Sequence, residues 1–165
     1  MILGYRQYFP WGTQTCFRAK IRNQIYNLPH SILFPSIKIT QRKIHTIRED
    51  VHNRWKPGMK IHHAYGVRTK KYDCFAESDC VSVQSIEIYQ VSIDDVDASS
   101  YTKEYIKNSN EPFKIFEVYI DGRRLTGTEF ETLAKNDGFD SVDDFFRWFD
   151  KPFKGKIIHW TDYKY

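Results

Sequence analysis

Lys43, Thr46 and Arg48 fall within one six-residue run, Lys43-Ile44-His45-Thr46-Ile47-Arg48. A lysine beside a hydroxyl can serve as its base once burial lowers the amine pKa, and a nearby carboxylate can orient the amine or carry a proton. The guanidinium adds a site for an anion. The run reads as a β-strand, which sets a condition. Residues three apart on a strand point to opposite faces, so Lys43 and Thr46 converge only if Lys43 precedes the strand or a bulge falls between them. Otherwise Lys43 is a solvated charge and Thr46 a residue chosen for β propensity. His45 alternates with Lys43 and Ile47 and falls on the face opposite Thr46.

A second segment, Arg54-Trp55-Lys56-Pro57-Gly58-Met59-Lys60-Ile61, follows at once as a tight turn into another strand. Arg48, Arg54 and Lys56 could hold phosphate, with Arg68 in the basic loop Arg68–Tyr72; Arg48 could equally pair with Asp50. Trp11, Trp55 and Tyr65 are candidate platforms for stacking a nucleic-acid base, and each fits a core or rim position as well. Residues 1–72 hold fourteen Lys/Arg against two Asp/Glu, whereas 73–165 hold eleven against nineteen. A basic half suits an anionic partner such as nucleic acid. The alternative is that the halves interleave in space and neutralise each other.

Aromatic residues make up 16% of the chain, which fits a small, aromatic-filled β-rich core. The three cysteines, Cys16, Cys74 and Cys80, form no Cys-x-x-Cys and suit free thiols in a reducing cytoplasm. Cys74 and Cys80 could share a metal only with His62 or His63, at a spacing that matches no zinc pattern, so no metal and no cofactor is expected. A signal segment and an apolar run long enough to span a bilayer are both missing, so no membrane partner is expected. The pattern specifies no oligomeric state.

The 165 residues read as one α+β domain. Strands are expected at Met1–Tyr5, Ile37–Glu49, Met59–Val67, Cys80–Ile93 and Lys156–Tyr163, with a break at Pro10-Trp11-Gly12. In Cys80–Ile93 the apolar alternation slips between Val83 and Ile86, which suggests a bulge. Phe113–Leu125 reads as a hairpin turning at Asp121-Gly122 in a type I′ turn. Helices are expected over Thr13–Tyr26, after a Thr128/Glu131 capping box, and after a cap at Asp140 or Ser141. Val142, Phe145, Phe146 and Phe149 form the apolar stripe of the last helix, and Gly138 stops the helix before it. Pro29 and Pro35 bracket an irregular connection, and Asp94–Glu111 reads as a polar loop or short helix.

The two basic segments together resemble the signature of ASCH domains, small members of the PUA-like superfamily. Ala134-Lys135-Asn136-Asp137-Gly138-Phe139-Asp140-Ser141, followed by Asp144-Phe145-Phe146-Arg147-Trp148-Phe149, is similar to that family's second motif, and Ile157-Ile158-His159-Trp160 to its closing strand. The resemblance implies a PUA-like mixed β-barrel of about five to seven strands, with helices inserted in the connections and insertions at 26–40 and 94–112. It also implies a role with RNA or a modified nucleoside. Some small ASCH members are amidohydrolases acting on N4-acetylcytidine, and others are reported as ribonucleases. Carried over from the amidohydrolases, Lys43 is the base, Thr46 the nucleophile and Asp137 the carboxylate that orients Lys43 or the leaving amine, standing where the family has glutamate. Arg48, Arg54, Trp55, Lys56, Tyr65 and Arg68 line the substrate or RNA cleft. A ribonuclease would instead need an acid–base pair, for which His45 or His62 with Lys43 is the available set.

Overall fold

A computed structural model describes residues 1–27, 41–91 and 115–165. The expected insertions, the Pro29–Pro35 connection and the Asp94–Glu111 loop lie almost wholly outside the described residues. Among the described residues, eight strands form two sheets. The smaller has the order β1-β3-β4, from β1 (Ile2–Gly4), β3 (Lys60–Tyr65) and β4 (Asp73–Asp79), with β1 parallel to β3. The larger has the order β2-β8-β5-β6-β7, all antiparallel, from β2 (His45–Arg48), β5 (Ser82–Val91), β6 (Ile115–Ile120), β7 (Arg123–Arg124) and β8 (Phe153–His159). Three helices accompany them among the described residues: α1 (Phe17–Tyr26), α2 (Glu129–Asn136) and α3 (Val142–Trp148). None is long and apolar enough to cross a membrane.

The sheets meet at Cys80. Its N–H donates to the Met59 carbonyl and its carbonyl accepts from Gly58, while Val81 donates to His159 at the end of β8. On the other side β2 is an edge strand. It lies beside β1 through a side chain, since Arg48 Nη2 donates to the Gly4 carbonyl at 2.9 Å. Leu3, Ile47, Ile61, Ile86, Val118, Ile157 and Ile158 are buried in one core. The aromatic excess is spent there: Phe9, Phe17, Phe139, Phe145 and Phe149 are all buried and in ring contact.

Several expectations are met in detail. Asp121 (φ 49°) and Gly122 (φ 80°) both have positive φ, the type I′ geometry that matches strand twist. Ser141 caps α3 by accepting from the Asp144 N–H at 3.0 Å; Asp140 is engaged elsewhere.

Others are corrected. The first helix starts at Phe17, because Gln14 bridges back to Tyr8 around the Pro10–Gly12 break and Thr15 donates to the Arg6 carbonyl. The Thr128/Glu131 capping box does not form: Thr128 is the N-cap without a side-chain bond, and Glu129 instead accepts from the Thr126 N–H at 2.9 Å. β5 runs without a bulge, in unbroken register with β8. The apolar slip arises because polar Ser82 and Gln84 occupy its buried face. The bulge is in β4 instead, a strand the alternation did not reveal. There Phe75 is the extra residue, since Ala64 pairs with Cys74 and His63 with Ala76.

The charge halves interleave. Arg18–Asp73, Lys20–Asp140, Lys43–Asp137 and Lys60–Asp79 each join a cation of the basic half to an anion of the acidic half.

Candidate active site

The segment preceding β2 docks along the turn between α2 and α3. Gln41 Nε2 donates to the carbonyls of Lys135 (2.9 Å) and Phe139 (2.6 Å), and the Ile44 N–H donates to the Asn136 carbonyl. Lys43 therefore lies outside the strand, which meets one of the two conditions set for it to reach the Thr46 side. Its ammonium is 1% exposed and bonds Asp137 twice, through the carboxylate at 2.5 Å and through the backbone carbonyl. It also lies 4.6 Å from the centroid of the Phe17 ring, a cation–π contact.

Asp137 sits at the C-terminus of α2, where its N–H still bonds the Leu133 carbonyl. Its carboxylate accepts from the Ile47 N–H at 3.3 Å, and so occupies the open edge of β2. His45 Nδ1 lies 3.5 Å from the same oxygen, a charge–dipole contact longer than a hydrogen bond. On its far side His45 Nε2 bonds the Tyr165 hydroxyl at 2.8 Å, which accepts from Asn136 Nδ2 at 3.0 Å. This network assigns the His45 proton to Nδ1, facing the carboxylate. His159, paired with His45 across β8, is buried with neither ring nitrogen partnered among the described residues. Burial pushes its pKa down to about 3, so it is neutral.

Burial is the largest influence on Lys43 and lowers its pKa to about 8, against the raising effect of Asp137. For Asp137 burial acts upward, but Lys43 and then His45 outweigh it and the carboxyl lies below its ordinary range. Burial likewise lowers the His45 pKa, opposed by Asp137. At neutral pH the site is thus a lysine–carboxylate ion pair beside a neutral histidine, with the lysine close to the pH at which it gives up its proton.

Gly138 explains why glycine follows the acid. Its φ is +89°, and a Cβ there would lie 3.0 Å from Lys43 Cδ and 3.1 Å from Phe17 Cε1. Lys20, itself buried, holds the same turn by donating to the Gly138 carbonyl (2.7 Å) and to Asp140 (2.6 Å). Gly138→Ala is expected to cost about 1–3 kcal/mol through left-handed strain and overpacking. It should also shift the Lys43 ammonium resonance in NMR spectra. An unshifted resonance would mean that the turn relaxes away from the lysine.

The other expected residues are placed as follows. Thr46 is 1% exposed, and among the described residues no hydrogen bond reaches its hydroxyl; Lys43 is bonded to Asp137 instead. Arg48 bonds the Ile47 and Gly4 carbonyls and lies over the Tyr5 ring, which leaves donors free. It does not pair with Asp50, whose carboxylate accepts from the Arg54 and Trp55 N–H groups. Arg54, Lys56 and Arg68 are exposed. Trp55 and Tyr65 are 7% and 8% exposed, and Tyr65 spends its hydroxyl on the Arg18 N–H, so neither offers an open stacking face. Trp11 is stacked between Phe9 and Arg147. The sequence reading left out Tyr5 and Tyr165, and it grouped His45 with Lys43, which the structure brings to the same Asp137 carboxylate. The only available signal for His45 was its two-residue spacing from Lys43.

No family model matches the chain, and neither does any curated protein or solved structure. The residues themselves therefore carry the functional argument.

Proposed function

We propose that this protein is an amidohydrolase of the ASCH type that removes the acyl group from an N4-acetylcytidine-like nucleoside. The observation that carries this reading is the buried Lys43–Asp137 pair. A buried charge pair is weak evidence for stability, whereas a lysine held near pKa 8 three residues before a buried threonine fits proton transfer. In this reading the two sheets are the halves of a PUA-like barrel, with Arg48 bridging the β1–β2 seam, and the setting is a reducing cytoplasm.

In the first step neutral Lys43 takes the Thr46 proton as Oγ attacks the acyl carbonyl. Asp137, itself held by His45, stabilises the ammonium that forms, and Arg48 offers a free N–H to the oxyanion. The C–N bond then breaks, and Lys43 returns the proton to the departing amine. Water next attacks the acyl-threonine ester and gives its proton to Lys43. As the acyl–Oγ bond breaks, Lys43 passes that proton to Thr46 Oγ, and the acid product leaves as acetate after losing its remaining proton to solvent.

The test is acetate release from N4-acetylcytidine by wild type beside Thr46→Ala. Turnover lost in the variant supports the assignment, and turnover retained removes Thr46 as nucleophile. The pH profile gives a second check. Only the neutral amine can accept the proton, and with a pKa of about 8 roughly one lysine in ten is neutral at pH 7. kcat/KM is expected to rise with pH and level off above a limb near 8. A profile flat from pH 6 to 9 would exclude Lys43 as the base.

The unbonded Thr46 hydroxyl favours a second reading, a binding pocket for an RNA base or modified nucleoside lined by the same residues. A binder should show RNA affinity that falls steeply with salt and survives Thr46→Ala.

A further inference from the structure

The β4 bulge has an effect on the outer face of the small sheet. Phe75 and Ala76 both turn inward and are buried. Cys74 and Glu77, three positions apart and on opposite faces in a regular strand, therefore both face outward. His62 joins them from β3, in direct register with Glu77. The three donor atoms lie within 4.8 Å of one another.

The geometry points to a binding site for a zinc-class divalent cation formed by His62, Cys74 and Glu77. The donor set selects the ion. Thiolate and imidazole suit a borderline-soft metal and disfavour magnesium or calcium. The spacing is also close to what coordination requires. Zinc bonds of about 2.0–2.1 Å to nitrogen and oxygen put two tetrahedral ligands about 3.3 Å apart, and His62 Nδ1 lies 3.1 Å from Glu77 Oε1. A Zn–S bond of about 2.3 Å puts the sulfur about 3.6 Å from each. The Cys74 side chain has to move by about 1 Å at most, and its exposure leaves room for that. With three protein ligands the fourth position is open to water or to a donor from a partner molecule. The cysteine pair weighed from the sequence does not assemble, because Cys80 is buried at the sheet junction and its thiol bonds the Ser82 carbonyl. Binding loses the Cys74 thiol proton to solvent and clamps β3 to β4 across the bulge.

The test is a titration of the full chain, purified under reducing conditions, with zinc against a chromophoric chelator. Cobalt serves as a spectroscopic stand-in. The expected result is one equivalent bound, a cobalt–thiolate charge-transfer band, and a Tm that rises with zinc. Cys74→Ser should abolish the band and the Tm rise and weaken zinc more than ~10-fold, the lower end of what loss of a supporting residue alone costs. Cys16→Ser should change neither. Because the three side chains are on the surface, circular dichroism should find the variants folded. Failure to bind one equivalent, or binding unchanged in Cys74→Ser, would overturn the proposal and leave His62–Glu77 as a plain cross-strand ion pair.

Discussion

Asp137→Ala is expected to destabilise the protein by about 3–5 kcal/mol at pH 7, because it strips the counter-charge from a buried ammonium. Lys43 can escape by giving up its proton, which limits the loss. Releasing a proton at pH 7 from a group whose ordinary pKa is 10.5 costs about 5 kcal/mol. That escape fixes the pH dependence. In wild type below pH 8 the folded and unfolded chains both carry the Lys43 proton, so this group adds no slope. In the variant the folded chain is neutral at Lys43 and the unfolded chain protonated, so stability rises with pH by about 1.4 kcal/mol per unit. The penalty against wild type should therefore shrink between pH 6 and pH 8. Thermal melts at both pH values check this, with an expected Tm drop of about 6–20 °C at pH 7. The double variant Lys43→Met/Asp137→Leu, with no charge left to compensate, should recover most of the loss. A penalty that is independent of pH and persists in the double variant would mean that Asp137 acts mainly through the Ile47 N–H and not through the lysine.

Lys43→Met is expected to lower turnover of N4-acetylcytidine by about 10²–10⁴-fold, the range of general acid–base catalysis by one positioned group. The methionine replaces the aliphatic stem over Phe17, ending where the ammonium began, but it leaves Asp137 with an unpaired buried charge. A loss of activity must therefore be separated from a loss of fold. Turnover per folded molecule, with the folded fraction read by near-UV circular dichroism, makes that separation. Lys43→Met combined with Asp137→Asn removes the buried charge and should fold well yet stay inactive. Activity within about 10-fold of wild type in that folded double variant would rule out the lysine as base.

What the sequence disclosed was mostly local. Asp121-Gly122, Gly138 and Ser141 were legible because each answers a conformational need that few residues satisfy: two positive φ values, a helix stop, an N-cap. The convergence of Lys43 with Asp137 was reached through family resemblance and not through spacing, since 94 residues separate the two. β4 was hidden because its bulge puts Phe75 and Ala76 on one face, so the strand shows no alternation. The meeting of Asp137 with both His45 and the Ile47 N–H was not legible, because strand periodicity assigns residues to faces while Asp137 approaches β2 along its edge. Trp55 and Tyr65 were read as surface candidates because their chemistry is the same in a core as on a groove wall. Asp50 and the Arg18 N–H decided their burial.

The docking of residues 41–44 against the 135–139 turn also bears on how the protein reaches its native state. Gln41, Lys43 and Ile44 all find their partners 92–98 residues along the chain. Closing a loop of that length costs entropy before any contact repays it. These contacts are therefore absent from the unfolded chain, where Lys43 and Asp137 stand in water with ordinary acidities. The tuned acidity of this site is a property of the folded molecule, and it depends on segments that lie far apart along the chain.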